Sequence, residues 1–64
     1  MSLEISQQDL DVEYLYDKAS QYKLNVEEED EEIFVELVGK QVSDGHSNLE
    51  SRRRAFTNWV KDKK

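Results

Sequence analysis

No proline interrupts this chain, and its only two glycines, Gly39 and Gly45, sit six residues apart. Proline and glycine are the residues that most reliably break helices. A chain with almost none of either must announce its turns by other means. It does so with three short polar residues, each followed three positions later by an acid: Ser6 with Asp9, Asn25 with Glu28, Ser47 with Glu50. The short side chain satisfies an orphan N–H of a first turn, and the acid suits the positive helix end.

These starts predict three helices over residues 7–23, 26–42 and 48–61, with frayed ends at 1–5 and 62–64. Val12, Leu15, Tyr16, Ala19 and Tyr22 form the apolar stripe of the first. Ile33, Phe34, Leu37, Val38 and Val42 form that of the second, and Leu49, Phe56, Trp59 and Val60 that of the third. Each follows the 3–4 spacing of one helix face. Gly39 costs about 1 kcal/mol against alanine inside a helix, which predicts close approach of a neighbour there. Asp44-Gly45 ends the second helix. With Leu24-Asn25 as a very short link, the first two helices form an antiparallel hairpin that the third closes. The expected fold class is all-α, a compact three-helix domain.

At 64 residues the chain has room for one domain. It has no cysteine and one histidine, His46, so neither a disulfide nor a zinc site is expected, and no cofactor. Charged residues (38%) outnumber hydrophobic ones (36%), a balance at which disorder competes. The aromatics Tyr14, Tyr16, Tyr22, Phe34, Phe56 and Trp59 argue for a packed core. No apolar run approaches the roughly 20 residues of a membrane span. Met1–Leu10 has neither the basic nor the apolar region of a leader, so the expected location is cytoplasmic.

Catalysis finds no support. No glycine-rich phosphate loop exists, Ser43, Ser47 and Ser51 lack a His–carboxylate arrangement, and nothing marks a carboxylate as buried. The chain is therefore expected not to be an enzyme. Its charge is divided instead: residues 1–44 carry 13 acids and 3 bases, net −10, and residues 45–64 carry 6 bases and 2 acids, net +4. Six consecutive acids, Glu27, Glu28, Glu29, Asp30, Glu31 and Glu32, offer a docking face for a basic partner, or a solvated first turn. They lack the loop spacing of a calcium site. Arg52, Arg53 and Arg54 could meet phosphates. Consecutive residues spread around a helix, so at least one is expected to pair with the acids of the second helix. Trp59 could stack on a base or a partner, or serve the core. Tyr14 and Val35 fall off their main stripes and mark a patch for association, including a homodimer.

From the second helix onward the chain resembles the C-terminal helical domain of DnaT-like primosomal and phage replication-initiation proteins. Phe34 to Val38 stands where that family has its first aromatic group. Asp44-Gly45-His46-Ser47 fits the turn, and Phe56-Thr57-Asn58-Trp59-Val60-Lys61 fits the terminal aromatic-x-Asn-Trp-hydrophobic-basic pattern. The family's Tyr-Trp pair is Leu37-Val38 here, and its Asp-Trp after the turn is Asn48-Leu49. The resemblance implies a three-helix shape and a phage or bacterial accessory role at the replication machinery. The missing aromatics and the acidic balance weigh against its single-stranded DNA binding, which is expected to be weak or absent. The expected function is a non-enzymatic protein-interaction module. The alternative is an acidic inhibitor that mimics DNA and blocks a basic groove.

Overall fold

The computed structural model describes residues 6–63, and the expectation of fraying at 1–5 lies outside them, as does Lys64. Three helices make up the architecture: α1 (Gln7–Gln21), α2 (Glu28–Ser43) and α3 (Asn48–Lys63). Residues 62 and 63, expected to fray, continue α3. Tyr16 meets Glu31 and Tyr14 meets Phe34, so α1 and α2 run antiparallel. Asp30 meets Lys63, so α2 and α3 are antiparallel too.

Two of the three caps form as the sequence predicts. Asp9 donates its N–H to Ser6 Oγ at 3.1 Å, and Glu50 donates to Ser47 Oγ at 3.2 Å. Asn25 does not cap. The second helix starts later, at Glu28, and its cap is Glu27, whose N–H is taken by the Asp30 carboxylate at 2.8 Å. The cause lies in the preceding link. Helix α1 closes with Leu24 N–H on Ala19 C=O (2.8 Å) and Lys23 N–H on Ser20 C=O (3.2 Å), the paired bonds of a Schellman ending. Lys23 sits in the left-handed region, φ 57°. The link is then long enough to lay Leu24 and Val26 against the core. Gly45, φ 100°, ends α2 in the same manner, with His46 N–H on Gln41 C=O at 3.2 Å.

The core is Leu15, Ala19, Phe34, Val38, Ala55, Phe56 and Trp59. Its centre on α3 is the Ser51–Ala55–Trp59 line, whose small residues make room for the indole. Leu49, expected inward, is exposed: it stands two residues, and so about 160° around the helix, from Ser51. Tyr16, Tyr22, Ile33 and Val42 lie on the margins of their stripes and are also exposed. Gly39 has nothing within 4 Å of where a Cβ would sit, so the expected close approach is absent.

Candidate interaction surface

Helix wheels and contacts together sort the six-acid run into two groups. Asp30 points inward and is buried. Its carboxylate accepts from Glu27 N–H and from Lys63 Nζ at 2.9 Å. Burial pushes its pKa up, but the Glu27 N–H, the Lys63 ammonium and the nearby Trp59 indole outweigh it and hold the carboxyl below the usual aspartate value. The indole N–H favours that charge without closing a hydrogen bond of normal geometry. Asp30 is thus a structural acid and unavailable to a partner. Glu31 is half-buried and accepts the Tyr16 hydroxyl at 2.6 Å. That bond, and then partial burial and the charges of Glu31, Asp30 and Glu28, raise the Tyr16 pKa. Glu27, Glu28, Glu29 and Glu32 are exposed.

Around Tyr16 the two antiparallel helices build one acidic surface. Glu28, Glu31 and Glu32 come from α2, and Glu13 and Asp17 from the exposed side of α1. A shallow depression of about 560 Å³ on α1 is lined by Leu10, Tyr14, Tyr16, Glu13, Asp17 and Arg52. Leu10 and Tyr16 are respectively 38% and 43% exposed, so accessible apolar surface lies beside Glu13 and Asp17. Sequence reading placed Tyr16 in the core; its position one residue after Leu15, on the stripe's edge, was the available signal.

The arginines separate, as three successive helix positions must. Arg52 is the half-buried one. It pairs with Asp11 of α1 through Nε at 2.7 Å, the side chains 14% and 5% exposed. The expected pairing with α2 is therefore corrected: Lys63, not an arginine, ties α3 to the acid run. Asp11 was not foreseen, although Asp11, Leu15 and Ala19 share a four-residue spacing, and an acid on a core line demands a cation. Arg54 pairs with Glu50 one turn back at 3.6 Å, and Arg53 is exposed.

Trp59 is 1% exposed and packs against Phe56 (5.7 Å between rings), with Lys63 over its ring at 5.5 Å. It cannot stack on a base or a partner without unfolding α3. Tyr14 and Val35 do not form one patch. Tyr14 is half-buried and stacks on Phe34, with Lys18 above it, whereas Val35 is half-buried in a separate groove beside Val42 and Gln7. Tyr14 reaches the core because its ring lies along Phe34 rather than outward. Among the described residues no three His, Cys, Asp or Glu side chains converge as metal ligands, and no helix is long and apolar enough to cross a membrane.

The fold and surface define a compact all-α three-helix domain with an acidic α1/α2 face. Comparison with known proteins finds no matching family model, no matching curated protein and no matching solved structure.

Proposed function

We propose that this chain is a non-enzymatic docking module whose acidic α1/α2 face binds a basic surface on another protein. The observation that carries this reading is the exposed ring of Tyr16, set between Glu31 of α2 and Glu13 and Asp17 of α1. Charge alone gives steering and little affinity, while a desolvated aromatic anchor supplies the energy of a contact. The resemblance to primosomal and phage replication-initiation domains makes replication machinery of a phage or bacterium the partner class to try first, in a cytoplasmic setting.

Direct nucleic-acid binding is disfavoured. Phosphate neutralisation needs clustered Lys and Arg, yet Arg52 is held by Asp11 and Trp59 is buried. DNA mimicry, the second reading, rests on Glu28, Glu29, Glu32 and Glu36 along α2. Over about 12 Å of helix they approach the charge spacing of one strand, about 3.4 Å. Lys40 then ends the row, so the imitation covers fewer than about four base steps. A small protein-docking face suits that extent better than a blocked DNA groove.

The test is affinity capture from nuclease-treated bacterial lysate, comparing the wild type with Glu28→Lys/Glu32→Lys and with Arg53→Glu. The reading expects a captured protein lost with the first variant and kept with the second. Loss only with Arg53→Glu, or capture seen only when the nuclease is omitted, contradicts it.

A further inference from the structure

We propose that a second copy of this chain docks on the α2/α3 face, each α2 lying against the α3 of the other in a two-fold arrangement. This face is distinct from the acidic α1/α2 face and does not depend on what that face binds.

Two stripes carry the argument. On α2, Glu29, Glu36 and Lys40 are exposed at intervals of seven and four, the spacing of one helix side. On α3, read backwards, Lys61, Arg54 and Glu50 repeat the same intervals with every sign reversed. Their levels agree as well. Four residues join Ser43 to Asn48, so the ends of the two helices lie side by side. Counting back from there puts Lys40, Glu36 and Glu29 each within one residue of Glu50, Arg54 and Lys61, a mismatch of about 1.5 Å along the axis.

Among the described residues of one chain no ion pair joins the α2 stripe to the α3 stripe. The ion pairs among the described residues are Arg52–Asp11, Arg54–Glu50 and Lys63–Asp30. Both stripes point outward from neighbouring helices whose axes stand about 8–10 Å apart. A two-fold axis parallel to the helices preserves level and exchanges α2 with α3. It sets Glu29 against Lys61 of the second copy, Glu36 against its Arg54 and Lys40 against its Glu50, and then the same three pairs in reverse. Arg54 and Glu50, already partners and about half exposed, would join the resulting network. At the centre of the α2 stripe Ile33 is 43% exposed, beside the depression it shares with Trp59, Asp62 and Lys63. It gives the contact an apolar middle.

The area is modest. Helices of 16 residues are about 24 Å long, so the face falls in the size class of transient contacts, below about 1,200 Å² in total. The association is therefore weak and strongly salt-dependent.

Sedimentation equilibrium of the full chain tests it, at salt of about 0.01 M and about 1 M, where the Debye length falls from about 30 Å to about 3 Å. The wild type should approach a doubled mass at low salt and return to monomer at high salt. Glu29→Lys/Glu36→Lys and Arg54→Glu/Lys61→Glu should each be monomeric alone, and their mixture should form a one-to-one heterodimer. Both variants keep a net negative charge, so bulk attraction does not explain that rescue. Glu28→Lys/Glu32→Lys should still dimerise. A wild-type monomer at low salt, reversal variants that dimerise alone, or a mixture that stays monomeric would each overturn the proposal. Circular dichroism on every variant separates these outcomes from loss of fold.

Discussion

Breaking the Asp11–Arg52 pair by removing Arg52 leaves the buried Asp11 carboxylate without its cation. Removing one member of a buried pair typically costs about 3–5 kcal/mol. A domain of this size has only about 3–10 kcal/mol in all, so Arg52→Ala should melt far below the wild type, whereas Arg53→Ala should melt close to it. A thermal scan of the two by circular dichroism checks this. Asp30 supplies the pH dependence. Its folded pKa lies below its unfolded one, so its contribution is fully present above about pH 5 and is lost as pH falls through the folded value. Urea melts between neutral pH and about pH 3 should show a steeper loss in the wild type than in Asp30→Asn, which has no such carboxylate to protonate. Equal slopes would contradict the Lys63 and Glu27 contacts.

At the scale of elements, two positions work against their helices. Gly39 sits in an exposed helix interior with free space where a Cβ would stand. Gly39→Ala should therefore stabilise by about 1 kcal/mol, or roughly 4–8 °C in melting temperature. Lys23 occupies a left-handed position suited to glycine, and Lys23→Gly should gain about as much, since that conformation costs an ordinary residue about 1–2 kcal/mol. The sequence announces the three helices clearly because caps and stripes are local. Ser6 and Ser47 behave as read, and Leu15, Phe34 and Trp59 are core on spacing alone. The misplaced apolar residues share one cause: periodicity gives a stripe but not its centre. Tyr16, Ile33 and Leu49 are apolar and near the stripe, yet the centre lies elsewhere, on Leu15, Phe34 and the small pair Ser51 and Ala55. Asn25 fails as a cap because the chain spends Leu24 and Val26 on the core before α2 begins. The acid run reads as uniform in sequence, and only the packing of α3 distinguishes Asp30 from its neighbours.

For the whole molecule, a thin core and a divided charge go together. Phe56→Ala should cost about 3–5 kcal/mol, because the buried ring joins Tyr22 to Trp59. A melt within a few degrees of the wild type would contradict the packing. So small a core leaves the surface to carry function, and acids of both helices flank Tyr16 where α1 and α2 meet. The most direct measurement is site-specific photo-crosslinking, with a benzophenone side chain at Glu13 beside Tyr16 and, in a second protein, at Thr57 on the outer side of α3. In nuclease-treated bacterial lysate the account predicts a discrete protein adduct from position 13, abolished by Glu28→Lys/Glu32→Lys, and none of that adduct from position 57. An adduct from position 57 alone, or one from position 13 that survives the charge reversal, would contradict it.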